Sequence, residues 1–163
     1  MSMKNISADD IREYIKQGEG PHIEFKTRFT ADNLIARHLS AFANSGGGII
    51  IFGVGSHGEI FGLSDEEIKQ TMDRLKRLAQ SLLPIYAYEL DAVSIDGKPV
   101  VYLNIEEVNK TDRPMRLATG DALILRDGAG FSREVTEISL PQAVLQSSLL
   151  LERSLAYSAL ASR

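Results

Sequence analysis

Three stretches of the chain repeat their apolar residues at the spacing of an amphipathic helix. The first follows Ser7, a residue type that caps helices, and precedes Gly18, where a helix can end. The second opens at Thr30, and the third begins with the capping-box pair Ser64 and Glu67. These patterns, with a leucine-rich fourth stretch near the C-terminus, predict helices at about 8–17, 31–44, 65–83 and 141–160.

Strand patterns lie between these helices. In the first strand Ile23 and Phe25 alternate with polar residues. We therefore expect these two side chains in the core and His22, Glu24 and Lys26 on the opposite face, lining a solvent-facing cleft.

The remaining strands are short apolar runs bounded by turn residues. The run 49–52 lies between glycines and predicts a strand buried on both faces. A hairpin arm is expected at 59–61, and strands at about 87–95 and 99–106 are joined by Asp96-Gly97. A further strand is expected at 123–126. The whole pattern predicts one α/β (α+β) domain with a mixed, largely antiparallel sheet packed by helices.

Length and composition fit one folded domain over residues 1–163. Hydrophobic residues make up 44% of the chain and charged residues 25%, which is enough apolar surface for a packed core. The chain has no cysteine, so disulfides and thiolate metal sites are excluded, and we expect a cytoplasmic protein. Its longest apolar run is far below the roughly 20 residues that cross a bilayer, so no membrane partner is expected.

The net charge of -4 argues against a protein that coats nucleic acid through bulk positive charge. Binding would need a local patch. Bases outnumber acids between 110 and 133, a region that contains a predicted long exposed loop at 108–120. Together with one base that ends the first strand and one that follows it, they form the candidate nucleic-acid contacts: Lys26, Arg28, Lys110, Arg113, Arg116, Arg126 and Arg133. The alternative is a solvated loop.

Other charged residues carry no site pattern. We expect a solvated face on the third helix, which includes Arg74 and Arg77. The histidines His22, His38 and His57 lack metal-ligand spacing, so each is expected to be an ordinary surface or hydrogen-bonded residue.

Several motifs follow one another in a distinctive order. They are Glu24-Phe25-Lys26, the helix end Ala41-Phe42-Ala43-Asn44 with its glycines, the strand ending Gly53-Val54, Gly62-Leu63, and Leu125-Arg126-Asp127-Gly128. This order resembles the Schlafen/AlbA-like family of DNA-binding domains over about 20–130. The resemblance implies a module that binds DNA or RNA, with a place in a transcriptional regulator.

The glycine turn at Gly46, Gly47 and Gly48 has two interpretations. Glycines allow positive φ angles and close packing between a helix and a strand. Alternatively, their backbone N–H groups contact a phosphate. The turn is not a P-loop, because no lysine follows the glycines and the chain leaves a helix here.

The resemblance also implies a nuclease alternative. In Schlafen nucleases two glutamates at this spacing and an aspartate after the Gly-Val strand form an acidic triad that holds a divalent metal. Glu19 and Glu24 match the first two positions, but residues 55–58 offer no acid at the third. A metal-dependent endoribonuclease would use Glu19, Glu24 and Lys26, with Mg or Mn on the two glutamates. We expect a non-enzyme because the third acid is missing; Glu24 would then pair with Lys26, Arg28 or Arg37.

A third alternative is an assembly domain. The segment 139–163 has more leucine than a lone surface helix needs, since Leu149, Leu150 and Leu151 point in three directions. This segment could dock on the domain or form a homodimer.

Overall fold

The structure is a computed structural model. It describes residues 5–112 and 115–117, together with the backbone of strands at 123–127 and 130–133. Its helices are α1 (Ala8–Gln17), α2 (Asp32–Asn44) and α3 (Asp65–Leu82), with short 3-10 turns at Ile85–Ala87 and Lys110–Asp112. Its strands are β1 (Ile23–Lys26), β2 (Gly48–Phe52), β3 (Tyr88–Ile95), β4 (Lys98–Ile105), β5 (Leu123–Asp127) and β6 (Gly130–Arg133).

Four strands form one mixed sheet in the order β1-β2-β4-β3. The strands β1 and β2 are parallel, and α2 is the crossover that a parallel pair requires. The other two pairings are antiparallel. Asp96 and Gly97 join β3 to β4 with φ angles of 52° and 79°, as expected for a tight hairpin turn. The strands β5 and β6 form a separate antiparallel hairpin.

Local capping fixes the ends of two helices. Ser7 caps α1 and Ser64 caps α3, each through a reciprocal capping box with the residue three positions later. The predicted helices at 8–17, 31–44 and 65–83 are confirmed within one residue at each end. The predicted helix at 141–160 lies outside the described residues. None of the described helices has the length and apolar character needed to cross a membrane.

Both faces of the sheet are covered. The helices α2 and α3 pack on one face around Phe42, Phe52 and Leu75. The helix α1 packs on the other face, where Ile11 meets Phe25 and shares a cluster with Ile23, Ile49, Ile51, Val100 and Tyr102. The core therefore consists of two layers separated by the sheet.

The expected solvent-facing cleft along β1 is wrong for Glu24. Ile23 and Phe25 are buried as expected, but Glu24 on the opposite face is only 5% exposed. The alternation separated the two faces correctly. The second face is nevertheless buried, because His38 of α2 lies against it.

One loop expectation is confirmed and another needs correction. The expected hairpin at 59–61 is present in short form: Val54 and Ile60 form an antiparallel bridge, flanked by hydrogen bonds from Gly55 to Glu59 and from Phe61 to Gly53. The described part of the loop after β4 is not simply exposed: Val108 is buried, and its N–H donates to the carbonyl of Ala43. This loop therefore packs against the end of α2.

Candidate nucleic-acid interface

In the glycine turn after α2, the N–H groups of the first two glycines form hydrogen bonds within the protein. Gly47 donates to the carbonyl of Phe42 at 2.8 Å, a bond typical of a helix C-terminus. Gly46 donates to the carboxylate of Glu107 at 3.0 Å, and the Gly47 carbonyl lies 2.8 Å from Nδ1 of His22. The Glu107 carboxylate therefore binds a glycine N–H group that was a candidate contact for a phosphate.

Close packing accounts for two of these glycines. Gly47 has a φ of +78°, and a Cβ there would lie 2.5 Å from the carbonyl oxygen of Ile105. A Cβ on Gly48 would overlap the ring of Phe42. The turn also borders an open pocket of about 340 Å³ lined in part by Glu106 and Glu107, whose carboxylates oppose an anionic ligand. These contacts support the packing interpretation of the turn.

Asn44, the last residue of α2, holds the loop that follows β4. Its Oδ1 accepts from the N–H of Met115 at 2.6 Å, and its Nδ2 donates to the carbonyl of Met115 at 3.0 Å. The hydroxyl of Ser40 donates to the same carbonyl at 2.8 Å. The asparagine is buried, so these bonds are shielded from water. They place the neighbouring Arg116, which is exposed, at the C-terminal end of α2.

Tyr86 holds the same loop at a second point. Its hydroxyl accepts from the N–H of Asn109 at 3.1 Å and donates to Asp112 at 2.8 Å. The bond from Asn109 lowers the pKa of Tyr86, but desolvation and the negative charge of Asp112 outweigh it and leave the pKa raised. The loop is therefore anchored on both sides of its 3-10 turn.

The carboxylate of Glu24 lies in a buried cluster. Its Oε2 is 3.1 Å from Nζ of Lys26 and 3.7 Å from Nε2 of His38. The Lys26 side chain is only 18% exposed. Of the pairings weighed for Glu24, the one with Lys26 is present, and the lysine offers little of its charge to a ligand in solvent.

Glu19 protects the edge of β1. Its carboxylate accepts from the N–H of Phe25 at 2.9 Å, while Gly20 and Ile23 form a bridge beside it. These bonds satisfy backbone N–H groups at the edge of the sheet, where another strand would otherwise be able to pair.

The proposed metal ligands therefore have partners within the protein. Glu19 bonds the backbone of Phe25, and Glu24 pairs with Lys26. After the Gly-Val strand, Glu59 accepts from the N–H of His57 at 3.2 Å. Across the residues that the structure describes, no group of three histidine or carboxylate side chains could hold a metal ion.

Two predicted phosphate contacts lie at opposite ends of α2. Arg28 is exposed just before the helix, and Arg116 is exposed beside the residue that Asn44 holds at its end. The strand β5, which carries Arg126, packs along α2. Arg113 and the side chains of Lys110, Arg126 and Arg133 lie outside the described residues.

The sequence pattern missed Arg74. Its guanidinium lies 4.0 Å from the ring centroid of Phe29 and its Nη2 is 3.0 Å from Asp32, so it is not part of a solvated face. The ring of Phe29 in turn stacks on Phe52, with centroids 5.9 Å apart. A phenylalanine directly after Arg28 is the one sequence signal that could have suggested this arrangement.

A profile of the family described as Schlafen, AlbA_2 matches residues 19–133. The chain belongs to this family. The match extends from Glu19 to Arg133 and so includes the glycine turn, the Asn44 contact and the β5–β6 hairpin. No curated protein matches the chain.

Solved structures share the AlbA_2 fold of this chain. The DIP2311 protein from Corynebacterium diphtheriae aligns with a TM-score of 0.54 at 14% identity, over 76% of this chain and 25% of that one. The chain thus spans about a quarter of that protein's length. The second is the N-terminal domain of a protein from Nitrosomonas europaea named for its relation to the ATP-dependent DNA helicase RecG. It aligns with a TM-score of 0.52 at 20% identity, over 95% of this chain and 100% of that one.

Proposed function

We propose that this AlbA_2 domain binds the backbone of nucleic acid. Membership of the family and the likeness to a domain of a RecG-related protein support a function connected with nucleic acid. The observation that carries the proposal is the contact of Asn44 with Met115, which fixes the basic loop against α2. Without that contact Arg116 would lie on a loop of undefined position.

The spacing of the two exposed arginines suits a chain of phosphates. The helix α2 has 13 residues, so its ends are about 20 Å apart. Arg28 and Arg116 flank these ends. A span of about 20 Å is several times the rise of about 3.4 Å per nucleotide along one B-form strand, so the two arginines would reach different phosphates. Two contacts at this distance position a strand without reading its sequence.

The overall charge limits how tightly such a site can bind. A chain of net charge -4 repels polyanions at long range, so only a local patch can attract them. Binding then gains from released counterions, which makes it modest, dependent on salt and weakly selective for sequence. Lys26 contributes less than the two arginines because Glu24 already holds its ammonium group.

The first test is fluorescence anisotropy with labelled DNA and RNA in low salt, in EDTA and then with Mn²⁺. Binding in EDTA without shortened products is the expected result. Shortened products that need the metal would favour the endoribonuclease that uses Glu19 and Glu24 instead.

An absence of binding even in the lowest salt would contradict the proposal. Sedimentation of an oligomer in that case would favour the assembly domain. A place in a transcriptional regulator, a cytoplasmic location and a homodimer formed through the C-terminal segment stay predictions from the sequence.

A further inference from the structure

A polar pocket of about 200 Å³ lies between the turn after β1 and the first half of α3. Its size suits one small group, because pockets for larger organic ligands usually exceed about 300 Å³. The residues that line it are Arg28, Phe29, Glu67, Gln70, Thr71 and Arg74.

One wall of the pocket is a guanidinium held in a fixed orientation. Arg74 stacks over Phe29 and also pairs with Asp32. Phe29 is itself fixed by its stacking on Phe52. Arg74 also lines the pocket, so its planar guanidinium is a stacking surface that a ligand there can use.

Thr71 adds a hydroxyl to the lining of the pocket. This residue is only 2% exposed yet lines the pocket. Its hydroxyl gives the pocket a group that both donates and accepts hydrogen bonds, as the edge of a polar ligand requires.

The charges around the pocket balance. Arg28 and Arg74 line the pocket together with Glu67, and Asp32, which does not line it, pairs with Arg74. Hydrogen bonds with the backbone N–H and with the side chain of Ser64 lower the pKa of Glu67, and the positive charge of Arg28 lowers it slightly further. Glu67 therefore remains an acceptor. A site with no net charge, several donors and a carboxylate fits a neutral polar ring better than a phosphate alone.

We propose that this pocket receives one unpaired base of a single-stranded nucleic acid. The inference rests on the proposed backbone binding and adds the kind of strand that the domain prefers. Single-stranded bases commonly stack on arginine planes and hydrogen-bond through their edges. Here Arg74 supplies the plane, while Thr71 and Glu67 supply hydrogen-bonding groups for the edge.

The experiment compares a labelled single-stranded oligonucleotide with a strand of the same length made only of abasic units. Binding is measured by anisotropy for the wild type, Thr71→Val, Thr71→Ser and the control Arg77→Ala. Valine keeps the shape of threonine without its hydroxyl, and serine keeps the hydroxyl. Arg77 is exposed on α3 and does not line the pocket, so its loss tests charge alone.

We expect the wild type to bind the intact strand more tightly than the abasic one. Thr71→Val should weaken binding of the intact strand about fivefold, the equivalent of one hydrogen bond of ~1 kcal/mol, with no effect on the abasic strand. Thr71→Ser should retain wild-type affinity, and Arg77→Ala should not distinguish the two strands.

Equal wild-type affinity for the two strands would overturn the pocket proposal and leave backbone binding in place. Equal weakening of both strands by Thr71→Val would also overturn it, in favour of a phosphate contact. No binding of either strand by the wild type would overturn backbone binding as well.

Discussion

The side chain of Asn44 forms two hydrogen bonds with the backbone of Met115, one in each direction. The primary amide thus acts as a backbone partner would in a strand pair. It joins the last residue of α2 to the loop that follows β4. The family motif that ends in this asparagine is therefore explained by the position of the loop, with no ligand contact needed.

Replacing Asn44 should destabilise the domain and release the loop. Asn44→Ala removes both bonds to Met115 and leaves its carbonyl only the bond from Ser40, a loss of about 2 kcal/mol. Urea unfolding measures the change. Gln80→Ala, on the exposed side of α3, serves as the control and should cost less than about 0.5 kcal/mol. A similar free energy of unfolding for the two variants would contradict the assigned role.

The glycine turn should tolerate no side chain. Gly47→Val or Gly48→Val should cost a few kcal/mol, because Gly47 has a positive φ and both positions meet neighbouring atoms. Gly20→Ala is the control, since no atom lies within 4 Å of a Cβ there. Thermal melting measures the effect. Unchanged melting with lost nucleic-acid binding would instead support a phosphate contact by the turn.

Much of the fold could be predicted because its signals are local. The capping box of Ser64 and Glu67 fixes the start of α3, and Asp96-Gly97 fixes the turn between β3 and β4. Both signals act within a few residues of the chain, so no knowledge of the tertiary structure is needed.

The contacts of the candidate site depend on packing that no local pattern contains. Alternation along β1 separates Glu24 from Phe25 but does not say that α2 covers the face of Glu24. The partner of Asn44 is 71 residues away in a loop without periodicity. Arg74 meets Phe29 only because α3 packs beside the turn after β1.

The pair of Glu24 and Lys26 should show strong coupling. Removing one partner leaves a charge in a site where the side chains are 6% and 18% exposed, so Glu24→Gln or Lys26→Met alone should cost about 3 kcal/mol. The double variant should cost much less than the sum. A double-mutant cycle in urea measures this coupling, and additive costs would contradict a buried ion pair.

Alkaline pH should unfold the domain through Tyr102. Burial raises the pKa of this tyrosine, and the nearby charges of Glu89 and Asp91 raise it further. A raised pKa in the folded state means that the stabilisation is complete below about pH 10, where an unfolded tyrosine ionises, and is lost above it. Stability of the wild type should fall there by up to about 1.4 kcal/mol per pH unit from this group. Tyr102→Phe should reduce the slope measured by urea unfolding across this pH range, and an unchanged slope in that variant would contradict the assignment.

The salt dependence of binding tests the central claim most directly. Anisotropy titrations across a salt series compare the wild type with Arg28→Ala/Arg116→Ala and with the matched control Lys76→Ala/Arg77→Ala, which removes two exposed charges from α3. If the arginines at the two ends of α2 contact phosphates, the first variant should bind more weakly, and its plot of log affinity against log salt should be flatter by about two units. The control should keep the wild-type slope. An unchanged slope in the first variant, or equal changes in both, would contradict backbone binding along α2.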